Sequence, residues 1–266
     1  MTTGTARPHK VIAMGRIFAA RMTTVAVLAL ALTGCGTTEQ PEQPAFHEAA
    51  SPRPMASAEP SVEPSPSPSQ GPSPKPTKNA TVLERGEGTF TTAGGSSPVV
   101  GDAGSLRRYQ VQVEEGITAF DADGFAAVVE QVLSDEHSWI ASGKWRFQRV
   151  ASGASAHFKI MLSTPGTTDR LCAKAGLQTN GIFSCRYGDN VVINLRRWAN
   201  GADGFTDMDV YRNMVINHEV GHFLGHGHVN CPGKGRLAPV MQQQTKELQG
   251  CKPNPYPYPD GVHYVG

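Results

Sequence analysis

The sequence lacks an apolar run long enough to cross a bilayer: the uncharged stretch from Met22 to Gly34 falls short of the roughly 20 residues a spanning helix needs. Neither sign of charge is in excess, with 24 Lys and Arg against 23 Asp and Glu, and no basic patch carries interleaved aromatics. Nucleic acid is therefore not an expected partner, and nothing in the overall charge suggests a strongly acidic substrate. Cysteine is sparse, 5 in 266 residues, and no two are spaced as C-x-x-C, so a zinc–cysteine cluster has no support. Apolar residues nearly vanish from Gly36 to about Arg85, and with them any core that segment could build.

What is present divides the chain in three. Residues 1–35 have a positive start (Lys10, Arg16, Arg21), the apolar stretch Val25 to Leu32 and small residues at the exit, the pattern of a signal peptide. The exit reads Leu32-Thr33-Gly34-Cys35, which resembles the bacterial lipobox and marks Cys35 for lipidation. Residues 36–85 hold eleven of the 20 prolines among Ser, Glu and Thr, a composition that predicts an extended, disordered tether. Residues 86–266 are long enough for one domain with a sizeable core. The expected location is the outer face of a bacterial cytoplasmic membrane, or secretion if Cys35 carries no lipid.

With Cys35 set aside, Cys172, Cys185, Cys231 and Cys251 form an even set, as two disulfides in an exported chain would require. Four cysteines allow three connectivities; proximity favours Cys172–Cys185 and Cys231–Cys251, each worth about 3 kcal/mol.

Within the domain, Leu106 to Glu114 alternates as a strand with Tyr109, Val111 and Val113 on one face. Asp121 to Leu133 reads as a helix burying Phe125, Val128, Val129, Val132 and Leu133. Trp145 to Val150 and His157 to Leu162 predict two more strands, followed by a loop-rich region from Ser163 to Arg186. Asn190 to Trp198 reads as a half-exposed strand. Thr206 and Asp209 form an acidic variant of a capping box, opening a helix from Asp207 to Leu224 with Val210, Met214 and Val215 toward the core. This order predicts a mixed α/β domain of the α+β kind.

That last helix leads into His-Glu-Val-Gly-His-Phe-Leu-Gly-His-Gly-His, residues 218–228, which fits H-E-x-x-H-x-x-G-x-x-H. Positions four apart share a helix face, so His218 and His222 can close on one zinc ion. Glu219 sits beside the first ligand as candidate general base. A third ligand farther up a straight helix would be out of reach, so the chain must turn back. Gly225 can take the positive φ this needs, and His228, with Gly227 before it, is the expected third ligand. His226 follows the break too closely and has no assigned role. A thermolysin-like arrangement would instead recruit Glu247, and a purely structural zinc site would make the domain a surface binding module, with no use for Glu219.

Through His218 to His228 the chain resembles the metzincin metallopeptidases, which share a tight turn with a methionine beneath the zinc. Met241, in Ala238-Pro239-Val240-Met241-Gln242, lies at a suitable distance downstream. From His218 through Gln244 and on to Pro259 the chain also resembles a family of actinobacterial exported proteins of unassigned function. The metzincin resemblance implies a twisted mixed sheet packed on an active-site helix with a zinc cofactor; it supplies no substrate, and the expected reaction is hydrolysis of a peptide amide bond, with a cell-wall amide as the rival substrate. It also implies that Val191 to Leu195 is an edge strand that pairs with substrate. The chain departs from some metzincins in having Gln243 where they place a tyrosine ligand.

Overall fold

A computed structural model describes residues 81–266. The chain separates into two units, Met1–Ser67 and Pro68–Gly266, and every described residue belongs to the second. The signal segment, Cys35 and nearly all of the tether lie outside the described residues. The domain's own contacts reach back past Gly86: Val82 packs on the core, and Glu84 accepts two hydrogen bonds from the Arg196 guanidinium at 2.7 Å.

Strand β2 (Ser105–Glu114) organises the sheet, with Tyr109, Val111 and Val113 buried on one face as the alternation predicts. An antiparallel β1 (Phe90–Thr92) borders it. Helix α1 (Ala122–Ser134) follows, capped by the Asp121 carboxylate, which accepts from the Gly124 amide at 2.7 Å. Its Phe125, Val129, Val132 and Leu133 are buried in the core, with Val128 at the margin. Strands β3 (Trp145–Arg149) and β4 (Phe158–Ser163) both run parallel to β2, against its first and second halves respectively. Helix α2 (Pro165–Cys172) and the short β5 (Cys185–Tyr187) lead to β6 (Asn190–Asn194), which is parallel to β4 and antiparallel to β5. The six strands lie in the order β1-β2-β4-β6-β5, with β3 also on β2. Helices α3 (Leu195–Asn200) and α4 (Met208–Phe223) complete this α+β domain.

Both faces of the sheet are covered. Ile160, Leu162, Val191 and Ile193 share one core with α1 and α4, whereas Met161 and Val192 point the other way, to Leu171, Cys172 and Cys185. This overturns the half-exposed reading of Asn190 to Trp198. Residues Val191 to Asn194 are buried on both faces, and the strand ends at Asn194, whose side chain accepts from the Arg196 amide at 2.9 Å and starts α3. Nor is Val191 to Leu195 an edge: β5 lies outside it, and the outer strand on that side is β5.

Two further readings are corrected. The region from Ser163 to Arg186 contains α2, because Pro165 occupies the first turn of a helix, where its missing N–H costs nothing. Helix α4 is capped by Asp207, which accepts from the Asp209 amide at 2.8 Å, and not by Thr206.

Candidate metal centre

The end of α4 determines the geometry of the centre. Leu224 closes the helix and Gly225 adopts φ 97°. The Gly225 amide donates to the His222 carbonyl at 3.2 Å and the His226 amide to the Gly221 carbonyl at 2.9 Å, the paired bonds of a left-handed helix stop. The chain thereby reverses, and His228 returns to the face that carries His218 and His222.

The three rings converge through one nitrogen each. His222 Nε2 lies 3.2 Å from His218 Nε2 and 3.0 Å from His228 Nε2, and the three ligand atoms all fall within 4.8 Å of one another. Donors sharing one tetrahedral zinc at about 2.0–2.1 Å would stand about 3.3 Å apart. The opposite ring nitrogens explain which tautomer is present. His218 Nδ1 donates to the Val240 carbonyl at 2.8 Å and His222 Nδ1 donates to the His226 carbonyl at 2.9 Å. A carbonyl accepts only from N–H, so each neutral ring keeps its proton on Nδ1 and turns a bare Nε2 lone pair toward the others. Protonation is opposed as well: burial, with the neighbouring His222, pushes His218 down to about 3, and burial lowers His222 and His228. Three ring nitrogens gathered at this distance could hold one metal ion.

Glu219 is buried behind the rings, and its Oε2 has no hydrogen-bond partner among the described residues. Burial alone raises its carboxyl to about 8. Glu219 and the three histidines line a cleft of about 550 Å³, whose lining also includes Phe183, Ser184 and Arg186 from β5 and its approach.

The carbonyls that orient the rings are themselves braced. Pro239-Val240-Met241-Gln242 forms a tight turn, closed by the Gln242 amide on the Pro239 carbonyl at 2.9 Å, and Met241 is fully buried beneath α4. The Val240 amide donates to the Val265 carbonyl at 2.9 Å. The His226 ring stacks on Trp139 at 4.6 Å and accepts or donates through Nδ1 to the Tyr264 hydroxyl at 2.9 Å. The chain around Tyr264 and Val265 therefore holds both carbonyls that set the ligand tautomers. Trp139 also donates from its indole to the Asn217 carbonyl at 3.0 Å, within α4 itself.

The structure thus brings together His218, Glu219, His222 and His228, with Met241 below them. It leaves out Glu247, which is exposed and accepts at Oε1 from Gln249 at 3.1 Å, and it gives His226 a bracing place instead of a ligand's. Both disulfides have the expected pairing: Cys172–Cys185 links α2 to β5 and Cys231–Cys251 spans the Met241 turn. They suit an exported protein, and no helix among the described residues is long and apolar enough to cross a membrane. Sequence reasoning missed Gly221, Trp139, Tyr264 and Arg186. Gly221 did carry a signal, since glycine inside a helix is costly and marks a close approach. A Cβ there would meet the Met241 sulfur and lie 2.7 Å from Trp139 Cζ2.

The chain belongs to the family described as protein of unknown function (DUF3152), which it matches over residues 76–252. No curated protein and no solved structure matches it. Tyr264 and Val265, which brace the centre, lie beyond the matched span.

Proposed function

We propose that the domain is a metzincin-type zinc metallopeptidase, displayed at the outer face of a bacterial cytoplasmic membrane by lipid on Cys35, that hydrolyses amide bonds of peptides. The observation that carries this reading is the convergence of three Nε2 atoms, two of them bared by Nδ1–H bonds to main-chain carbonyls. Met241 in a tight turn below the rings and the glycine-closed end of α4 support the metzincin type. The two disulfides support export, and Leu32-Thr33-Gly34-Cys35 supports the lipid anchor.

A zinc ion held by His218, His222 and His228 supplies a Lewis acid that polarises a carbonyl and acidifies water. Glu219 does the proton work. It lines the cleft beside the rings, and its buried Oε2 has no hydrogen-bond partner to release before it meets a water. Having taken a proton from the attacking water, it passes that proton to the leaving amine. The outer edge of β5, beside the cleft, offers main-chain groups with which an extended peptide can pair.

The test is to load the purified protein with zinc, measure metal by mass spectrometry, and follow cleavage of a peptide library and of peptidoglycan fragments. Wild type should hold about one zinc and cleave, while Glu219→Gln should hold as much and not cleave. Absence of zinc from the wild type, or unchanged turnover in the variant, refutes the proposal.

A further inference from the structure

Arg186 is out of keeping with the other arginines of the domain. The other partly buried ones each have a partner: Arg149 with Glu130, Arg196 with Glu84, Arg146 with the Gly104 carbonyl at 3.1 Å, Arg107 over the Trp145 ring, Arg212 with the Trp198 carbonyl at 3.2 Å, and Arg197, whose Nε is also unpartnered, through its terminal nitrogen with the Gly201 carbonyl at 3.0 Å. Arg186 is partly buried, yet its Nε has no hydrogen-bond partner and no carboxylate pairs with it among the described residues. An Nε–H buried in this way loses solvation without replacement.

Strand register explains where it lies. Arg186 pairs with Val191, and Val191 faces the core shared with α4; Cys185, one residue earlier, faces α2 through its disulfide. Alternation therefore turns Arg186 toward α4, which carries His222. It lines the cleft there, as does Lys246. The only carboxylate in the cleft wall is Glu219, buried behind the rings. A cation beside three imidazoles, facing open cleft and without a counter-ion, is an arrangement that an anionic ligand completes.

We infer that Arg186 forms a carboxylate-binding subsite in the cleft, so that the preferred ligand is a peptide bearing a carboxylate near the centre. This deepens the peptidase reading and rests on it for the ligand being a peptide. The planar guanidinium matches a carboxylate with two parallel N–H···O bonds, which a lysine cannot reproduce. The carboxylate belongs either to an acidic side chain or to the free end of a peptide, and two peptide pairs separate these sources.

Binding is measured on the zinc-loaded Glu219→Gln protein, where no turnover interferes. The probes are acetyl-Ala-Ala-Asp-Ala-Ala-amide against its Asn counterpart, and penta-alanine with a free against an amidated C-terminus, titrated by calorimetry. At least one acidic member should bind about tenfold or more tightly than its neutral partner, with a preference that shrinks as salt rises. Adding Arg186→Gln should abolish the preference and Arg186→Lys restore only part of it, with zinc content unchanged in both. Equal binding within both pairs, no binding of any probe at millimolar concentration, or a preference that survives Arg186→Gln overturns the inference. If Arg186→Gln fails to fold, the salt dependence of the pairwise preference decides: a preference indifferent to salt rejects it. A preference for the acidic probe together with no cleavage by the wild type would reject the peptidase reading alone.

Discussion

Replacing His228 and His226 separately tests the centre most directly, because both are imidazoles two residues apart and only one points its Nε2 at the other ligands. His228→Ala removes one of three converging donors. Structural zinc sites with four ligands bind with about 10–16 kcal/mol, roughly 2.5–4 kcal/mol per ligand, so the loss should be about 60- to 700-fold in affinity. His226→Ala removes a stacking contact with Trp139 and a hydrogen bond to Tyr264, at about 0.5–1.5 kcal/mol each. It keeps the backbone carbonyl that accepts from His222 Nδ1, because that group belongs to the main chain. Much of its cost therefore falls on loop order and not on the ligand, and zinc affinity should drop by about tenfold or less. Competition against a chromophoric chelator at fixed neutral pH measures both constants on one scale. Equal losses in the two variants, or a larger loss in His226→Ala, would refute the assignment of the third ligand.

Gly221→Ala should lower stability by up to about 2 kcal/mol in thermal melts. Crowding against Met241 and Trp139 costs about 1–3 kcal/mol, and the better helix propensity of alanine returns about 1; a stabilised variant would contradict the packing described. Truncation after His263 removes the Tyr264 and Val265 contacts and should weaken zinc binding together with stability, whereas a change confined to stability would deny the bracing role. In the metal-free protein the raised Glu219 carboxyl holds a proton that the unfolded chain releases above about 4.5, so its stability is present at low pH and lost as pH rises toward 8. His218, pushed down, acts in the opposite sense below 6.5, leaving Glu219 to act against it only there. Between pH 6.5 and 8, metal-free wild type should lose about 2 kcal/mol relative to Glu219→Gln, and parallel profiles would refute this.

The centre was largely legible in advance because its donors are local: His218, Glu219, His222 and His228 sit within one helix end and the turn that stops it. Alternation likewise exposed β2 and its buried face, since a strand's period of two is written in consecutive residues. The failures have a common cause in tertiary context. Val191 to Leu195 alternates without a break, and only the cover on both sheet faces and the Asn194 cap show where the strand stops. Pro165-Gly166 has the look of a loop until the helix behind it is seen. Arg186 is the clearest case, because its orientation depends on its register with Val191 and on a disulfide holding Cys185 the other way. Tyr264 is separated from His226 by 38 positions, beyond any local pattern.

The three histidines are not equally sheltered: His218 is buried, His222 partly so, and His228 exposed. His218 and His222 are anchored on a packed helix, while His228 sits on a surface loop between Gly227 and Val229. For the proposed zinc site this gradient would give metal exchange a direction. The two helix-borne rings are positioned before any ion arrives, and the exposed ring would close last and let go first. The off-rate of a bound ion would then be governed by the freedom of one short loop, whose far end is held where the Val229 amide donates to the Met241 carbonyl at 3.2 Å.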